Sequence, residues 1–285
     1  MIRMIRSKAF RRIVLFSAAA VLFLSVWALW WEPSSLIIVE RTIPLQHWHA
    51  EHAGLKIAVM SDLHVGAPHF DIARLRDVVS LTNEQKPDLI VILGDFLIQG
   101  VLGGTFVPPE PIADELSALQ APLGVVAVLG NHDWWFDGER MRRALMSAGI
   151  KVLADQSLRM IYKDQPFWLM GLDDLWTRGS HVQRTLAAIH DNEPIIAITH
   201  NPDIFPDIPQ RVTLTLAGHT HGGQINLPLI GRPATPSKFG QRFAYGLIEE
   251  QGRKLFVTSG VGTSIVPVRF RVKPEIVILT LVPEE

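Results

Sequence analysis

The feature of this sequence that most constrains its fold is an alternation, from residue 55 onward, of short apolar runs with segments of helical periodicity. The apolar runs 55–60, 89–93 and 125–129 have the length and the β-branched content of buried strands. Between the first two runs, the apolar residues of 72–79 fall on one helical face behind Asp71, the expected N-cap. This rhythm predicts an α/β core.

The same rhythm continues toward the C-terminus. We predict helices at 112–119 and 137–149, a helix that begins with a capping box at Ser180 and ends near His190, and strands at 195–199 and 212–217. Beyond residue 222 the helical pattern stops. Short apolar segments at 247–250, 254–258 and 275–282 predict β-hairpins there.

Composition excludes several classes of protein. The chain has 285 residues, of which 48% are hydrophobic, so it has ample material for a buried core. A formal net charge of −1 gives no overall basic field, and wrapping of nucleic acid is therefore not expected. The absence of cysteine removes disulfides, thiolate zinc sites and cysteine nucleophiles, so any metal must be bound by nitrogen and oxygen.

The N-terminus has the pattern of a membrane anchor. Residues 1–12 form a basic tail without acidic residues, and 13–31 follow without a charged residue. As a helix, this run would extend roughly 28 Å, about the thickness of the bilayer hydrocarbon. Three tryptophans gather at its far end, where indole rings favour the membrane interface, and Glu32-Pro33 ends it. The positive-inside rule places the basic tail in the cytoplasm and the rest of the chain outside it.

We therefore expect a single-pass protein of the bacterial inner membrane with an extracytoplasmic catalytic domain. Segment 32–54 is interpreted as a linker with a short strand, and 55–285 as the catalytic domain. Two alternatives exist for 13–31. A cleaved signal peptide would use a small-residue site near Ala28, whereas a buried core helix would leave the basic tail and the tryptophans without a role.

Five short motifs follow apolar runs, where ligand sites of open α/β sheets collect. They are SDLH at 61–64, GD at 94–95, GNHD at 130–133, TH at 199–200 and GHTH at 218–221. Their metal-donor side chains are Asp62, His64, Asp95, Asn131, His200, His219 and His221. A lone Asp or His after a strand is usually a cap or a hydrogen-bonded residue. Together, carboxylate, amide and imidazole suit Mn, Fe or Zn.

The ordered series DxH, GD, GNHD, H, GHxH resembles the calcineurin-like metallophosphoesterase superfamily. The continuation GGQINLP and the C-terminal tail are similar to a branch of small bacterial membrane-associated phosphodiesterases. The resemblance implies a sandwich of two mixed β-sheets flanked by helices, here preceded by a transmembrane helix. It also implies two divalent metal ions.

Roles follow from the resemblance residue by residue. It implies that Asp62, His64 and His221 hold one metal, that Asn131, His200 and His219 hold the other, and that Asp95 bridges them. It implies further that His132 contacts the scissile phosphate. The neighbouring Asp133 is then expected to orient the His132 ring, which makes this pair the catalytic candidates.

The activity expected is hydrolysis of a phosphodiester or pyrophosphate in a membrane-associated, lipid-linked substrate. One known activity of the resembling branch is hydrolysis of a UDP-2,3-diacylglucosamine pyrophosphate in lipid A assembly, but that substrate is made in the cytoplasm. An extracytoplasmic phosphodiesterase acting on nucleotides or wall polymers fits the orientation better. A non-catalytic, metal-stabilised binding protein is a further alternative, against which the non-ligand His132 argues.

Four other groups carry weaker signals, each with two interpretations. Asp173-Asp174 is interpreted as a turn rather than part of the metal site, and His47, His49 and His52 as a solvated linker. Arg269 and Arg271 would bind an anion or lie on an exposed strand face. The run 134–136, Trp-Trp-Phe, is either core packing or an apolar rim that contacts acyl chains.

Overall fold

The fold was analysed in a computed structural model, which describes residues 8–284. Helix α1, Lys8–Val26, continues as one π-helical turn, Trp27–Trp31. Among the described residues, the segment Phe10–Trp31 is long and apolar enough to cross a membrane, and its apolar window is not buried in the rest of the molecule. Arg3 and Arg6 of the predicted basic tail lie outside the described residues.

The first sheet has six strands in the order β1-β12-β2-β3-β4-β5. They are β1 (Ile37–Leu45), β2 (Leu55–Met60), β3 (Leu89–Ile92), β4 (Val125–Ala127), β5 (Lys151–Val152) and β12 (Glu275–Pro283). Strands β2 to β5 are parallel, and β12 runs antiparallel to β2 but parallel to β1. Strands β12 and β1 therefore begin at the same end of the sheet at which β2, β3 and β4 finish.

The second sheet also has six strands, in the order β10-β11-β9-β8-β7-β6. They are β6 (Gln156–Tyr162), β7 (Gln165–Gly171), β8 (Ile195–Ile198), β9 (Leu214–Ala217), β10 (Gly246–Glu250) and β11 (Arg253–Val257). Strands β7, β8, β9 and β11 are parallel, while β6 and β10 pair antiparallel at the two edges. Both sheets are mixed, as the resemblance implied.

The helices that cover the sheets are α2 (Ile72–Glu84), α3 (Pro109–Leu116), α4 (Asn131–Ser147) and the short α5 (Val182–Leu186). Alternate residues of β2 face opposite layers: Ile57 and Val59 belong to the core between the two sheets, whereas Ala58 and Met60 pack under the helices. This period of two is what a strand buried on both faces requires. The result is a layered sandwich with helices outside.

Several sequence expectations need correction. The first turns of α4 precede the predicted start: the helix begins at Asn131 and kinks at Asp137, whose side chain accepts a hydrogen bond from the Arg140 backbone. Ser180 does not cap α5, since His181 occupies that position and no capping hydrogen bond forms. Of the three segments predicted to form hairpins, the first two pair with each other as β10 and β11. Segment 275–283 instead forms β12 of the first sheet, where its residues are buried between β1 and β2.

Candidate metal centre

The seven predicted donors come together where the two sheets present the ends of their strands. Asp62 and His64 follow β2, Asp95 follows β3, and Asn131 opens α4 directly after β4 and its connecting loop. From the second sheet, His200 follows β8, while His219 and His221 follow β9. Each of these side chains is at most 4% exposed. The sandwich thus places donors from both sheets in one buried cluster.

One group of donors consists of Asp62, His64 and His221, whose ligand atoms lie within 4.8 Å of one another. The Nε2 atoms of His64 and His221 are 3.1 Å apart. The His221 Nε2 lies 3.4 Å from Asp62 Oδ1. Three converging donor atoms of this kind are the arrangement that a borderline divalent cation needs.

A second group consists of Asp95, His200 and His219. The His200 Nε2 lies 3.1 Å from Asn131 Oδ1, 3.1 Å from His219 Nδ1 and 3.2 Å from Asp95 Oδ2. Asn131 therefore completes a four-donor set of nitrogen and oxygen atoms.

Asp95 lies between the two groups. Its Oδ2 atom is 3.5 Å from the His64 Nε2 of the first group and 3.2 Å from the His200 Nε2 of the second. The other carboxylate oxygen, Oδ1, accepts a hydrogen bond of 2.9 Å from the backbone N–H of His132. One carboxylate is thus shared by both groups and fixed by the backbone.

Burial determines the charge of most of these imidazoles. It lowers the pKa of His64 to about 3, and it holds the pKa values of His219 and His221 well below the usual value. These rings are therefore neutral at pH 7, and each keeps one ring nitrogen with a lone pair. The Nε2 atoms of His64 and His221 face each other at 3.1 Å, and each has a lone pair for a metal in the tautomer that carries its proton on Nδ1. A cation between them would satisfy both, so the donor set fits a metal.

His200 behaves differently. Burial disfavours its charged form, but the Asp95 carboxylate, through its charge and hydrogen bond, outweighs this and raises the pKa of His200 to about 10. The same contact with His200, through its charge and its hydrogen bond, outweighs burial at Asp95 and keeps the pKa of that carboxyl well below its usual range. Without a metal, a proton holds this pair together. A cation would take the proton's place.

The backbone of the donors is strained. Asp62, His64, Asp95, His219 and His221 have φ angles of 52°, 44°, 55°, 68° and 51°, in the left-handed region. Each such residue costs roughly 1–2 kcal/mol when it is not glycine. Strain of this kind persists where the surrounding structure fixes it and clusters at functional sites.

Two glycines allow the loops to approach the donors closely. A Cβ atom on Gly130 would collide with the Asp95 carboxylate, and one on Gly218 would collide with Ser61 and Asp62. Side chains at either position would displace a donor.

His132 lies at the edge of the cluster. Its ring is 7% exposed, packs edge-to-face on His64 with ring centroids 4.8 Å apart, and contacts Trp135 at 4.9 Å. The His132 Nδ1 has no hydrogen-bond partner. Its ring also lies close enough to His64 and Asp95 to form a third group of candidate ligands. Geometry thus permits both contact with substrate and metal ligation.

Asp133 has partners other than the expected ones. Its Oδ2 accepts hydrogen bonds of 2.9 Å from the backbone of Asp95 and of Gly130, and its Oδ1 accepts one of 2.9 Å from Phe96. Asp133 is the third residue of α4, so its side chain turns back to the helix start and away from the His132 ring. The carboxylate positions the loops that carry Asp95 and Asn131. It does not orient His132.

Arg269 is neither on an exposed strand face nor at an anion site. It is completely buried, and its guanidinium donates to the carbonyls of Ser259, Gly260 and Val272 at 2.9, 3.1 and 3.3 Å, and to Gly262. Segment 260–262 in turn packs on the backbone of 61–63, because Gly262 N donates to Asp62 O at 2.7 Å. Arg269 thus supports the Asp62 loop. The sequence carried no signal for its burial.

The expectations for Asp173-Asp174 and for the run 134–136 have different outcomes. Asp174 does form a turn, accepting hydrogen bonds from Thr177, and this turn brings Trp176 edge-on to His219 at 4.3 Å. In the run 134–136, Trp134 and Phe136 pack on the core, while Trp135 is 52% exposed beside His132.

The prediction that the three histidines at 47, 49 and 52 lie in a solvated linker is only partly confirmed. His47 and His49 are exposed, but His52 is buried against Trp48, with ring centroids 4.9 Å apart. An apolar neighbour explains this difference.

Residues 55–223 match the family model described as calcineurin-like phosphoesterase, and the chain belongs to this family. It is 33% identical over 260 residues to the metallophosphoesterase YkuE of Bacillus subtilis, covering 90% of this chain and 88% of that one. It is 34% identical to the phosphodiesterase YaeI of Escherichia coli, covering 81% and 83% of the two chains. It is 27% identical to the UDP-2,3-diacylglucosamine pyrophosphatase LpxG of Chlamydia trachomatis, covering 92% and 94%. The protein is a metal-dependent phosphoester hydrolase.

Proposed function

We propose that this enzyme hydrolyses a phosphodiester or pyrophosphate bond with two divalent metal ions, Mn, Fe or Zn. One ion is held by Asp62, His64 and His221, and the other by Asn131, His200 and His219. The observation that carries the proposal is the position of Asp95, whose Oδ2 lies 3.5 Å from His64 Nε2 and 3.2 Å from His200 Nε2. A shared carboxylate can hold two cations against their mutual repulsion.

The chemistry such ions supply is a nucleophilic water at neutral pH and charge stabilisation of the phosphate oxygens. The chain itself supplies geometry and a proton. Asp133 fixes the loops that present Asp95 and Asn131, so the donors need no rearrangement when substrate arrives. His132, at the mouth of the cluster, donates a hydrogen bond or a proton to the leaving oxygen. No covalent intermediate with a protein side chain is required.

The substrate class we propose is a membrane-associated phosphoester. Support comes from the apolar segment Phe10–Trp31, since an anchored enzyme meets substrates that share its membrane. A relative named as a UDP-2,3-diacylglucosamine pyrophosphatase supports a lipid-linked pyrophosphate as the specific alternative. A relative named as a phosphodiesterase supports the broader class.

We propose that 13–31 is an uncleaved anchor and that the catalytic domain lies outside the cytoplasm of a bacterial cell. Segment 32–54 follows the anchor, and its strand β1 is part of the catalytic domain because it pairs with β12 along its whole length. The basic tail 1–12 supports this orientation through the positive-inside rule. Proteolysis of intact spheroplasts tests it. The domain should be digested without lysis, and protection until lysis would reverse the orientation.

The function is tested on full-length protein in detergent, stripped of metal and reloaded with manganese, zinc or iron. The substrates are lipid-linked pyrophosphates, nucleotides and aryl phosphodiesters. We expect no activity without metal, and release of a phosphomonoester product on reloading. Equal activity after exhaustive chelation would refute the metal mechanism. Cleavage of nucleotides with none of the lipid-linked compounds would refute the substrate class alone.

A further inference from the structure

Five exposed apolar residues form a surface beside the metal centre, which we call the apolar rim. They are Leu102, Leu229, Ile230, Ile265 and Val266, with exposed fractions of 69%, 108%, 64%, 70% and 42%. Although they come from three loops, these loops are joined. Leu102 N donates to Ile265 O at 2.9 Å, and the Gln224 side chain donates to Val266 O at 3.2 Å. Several exposed apolar residues carried on joined loops indicate a contact with a membrane or another protein.

Ile265 is strained as well as exposed. Its φ angle is 60°, a conformation in which a β-branched side chain is a genuine outlier. Asparagine or glycine would relieve this strain, and no packing inside the molecule explains an isoleucine that is 70% exposed. The presence of isoleucine at this position is explained if an apolar surface outside the molecule covers it.

The rim is connected to the end of the apolar N-terminal helix. The backbone N–H of Arg269, four residues after Ile265, donates to the carbonyl of Ala28 at 2.9 Å. Close by, the His69 Nε2 lies 2.9 Å from the carbonyl of Leu29, and its ring packs on Trp30 at 5.1 Å. The last turn of the helix is therefore fixed to the loops that carry the rim.

Sheet topology gives the same placement independently. Ile37 at the start of β1 pairs in parallel with Glu275 at the start of β12, which runs antiparallel to β2. The chain thus leaves the helix at Trp31 and enters the sheet at the end where β2 and β3 finish. Asp62 and Asp95 come directly after these two strands. The six Cα–Cα steps from Trp31 to Ile37 span at most about 22 Å. The metal centre and the end of the helix therefore share one edge of the molecule.

The same edge carries positive charge. A cavity of about 380 Å³ lies between the helix end and the catalytic domain, and Arg232, Arg271 and Lys273 line it. Two acids also line it, but their carboxylates are used internally. Glu32 accepts from Trp27 Nε1 and Val272 N at 2.6 and 2.5 Å, and Glu275 accepts from Thr258, Ser259 and Tyr245. Arg271 and Lys273 are exposed and suit anionic headgroups, whereas Arg232 is half-buried and its Nε donates to Gly222 O at 2.7 Å.

We propose that the catalytic edge of this protein lies on the surface of the bilayer that holds its N-terminal helix. The apolar rim enters the interfacial layer, and the basic cavity binds anionic phospholipid headgroups. Segment 260–266 then connects the membrane directly to the metal centre, since Gly262 N donates to Asp62 O at 2.7 Å. The inference rests on the proposed anchor but not on the proposed hydrolysis. It implies that an amphiphilic substrate reaches the metals without leaving the membrane.

The test uses the full-length chain, whose lack of cysteine allows one label per molecule. Leu102→Cys and Ile265→Cys place an environment-sensitive dye on the rim. Ser17→Cys places it in the helix, and Ala118→Cys places it at the opposite edge, in the loop before β4. Each variant is reconstituted at one copy per nanodisc, in phosphatidylcholine with phosphatidylglycerol and a shallow doxyl-labelled lipid.

We expect lipid quenching of the dyes at positions 17, 102 and 265 and none at 118. Rim dyes that remain unquenched and accessible to aqueous iodide would overturn the proposal. Rim dyes shielded from both quenchers would also overturn it, because another part of the protein would then cover the rim. Loss of metal through Asp95→Ala should leave the pattern unchanged, which separates this inference from the proposed hydrolysis.

Two further variants separate membrane contact from folding. Ile265→Asn should raise the unfolding temperature in detergent by relieving strain, yet reduce quenching of a dye at Leu102→Cys. A double variant, Arg271→Gln with Lys273→Gln, should reduce that quenching only when phosphatidylglycerol is present. Unchanged quenching in Ile265→Asn would show that the rim does not enter the membrane, and equal loss with and without phosphatidylglycerol would refute the basic headgroup site.

Discussion

The backbone N–H of His132 donates a 2.9 Å hydrogen bond to Asp95 Oδ1, so the shared carboxylate and the exposed-edge histidine are held in a fixed relation. The remaining Asp95 oxygen faces His64 and His200. Asp95 therefore connects the two donor groups to His132, which lies at the start of α4 and at the mouth of the cluster. Mutations of these two residues should have different signatures.

Replacement of His132 by Ala should lower kcat by about 10²–10⁴ while leaving metal content unchanged, because a positioned acid is lost and no ligand. The defect should be smaller for aryl phosphodiesters, whose leaving oxygen needs less protonation. Kinetics on two leaving groups and elemental analysis measure both effects. Loss of an ion would instead make His132 a ligand, as its distance to His64 and Asp95 permits.

Replacement of Asp95 by Ala should reduce the content of both ions and lower kcat by at least about 10³. His64→Ala and His219→Ala, each on one side of the centre, should reduce the content of one ion and damage activity less. Asp77→Ala on the exposed face of α2 is the control and should change neither. Full retention of one ion by Asp95→Ala would contradict the bridging role.

Metal binding should release a proton near neutral pH. His200 has a pKa of about 10 in the metal-free chain because the Asp95 carboxylate outweighs burial, whereas His64, His219 and His221 are already neutral. A ligand must be deprotonated, so affinity should rise as pH rises toward 10, by up to about tenfold per pH unit for one proton. Calorimetry in buffers of different ionisation enthalpy counts the protons. If no proton were released on metal binding at pH 7, His200 would not be protonated in the metal-free protein.

Replacement of Arg269 by Met should destabilise the fold by about 3–5 kcal/mol, because four buried carbonyls lose a charged donor. Arg271→Met is the matched control two residues away, and as an exposed position it should change the free energy of unfolding by less than about 0.5 kcal/mol. Chemical unfolding in detergent compares the two. Equal stability of both variants would mean that Arg269 does not support segment 259–262.

Local sequence determined the elements and the chemistry of this protein. The buried strand at 55–60 and Asp71 as N-cap were predictable because each depends on residues close in the chain. The donors were readable because each directly follows an apolar run, and the order of the five motifs named the family. The same locality explains the predicted anchor, since length and apolar composition alone define it.

Tertiary structure decided how these parts meet. The register of Ile37 with Glu275 joins the two ends of the chain, and it places the end of the helix at the edge that carries the metal centre. Arg269 is buried only because carbonyls of the 259–262 segment converge on it, and Asp133 turns to the loops because of its place in α4. Such pairings depend on contacts between residues far apart in the chain. Periodicity and residue type describe only neighbours in the sequence, so they do not predict which distant residues meet.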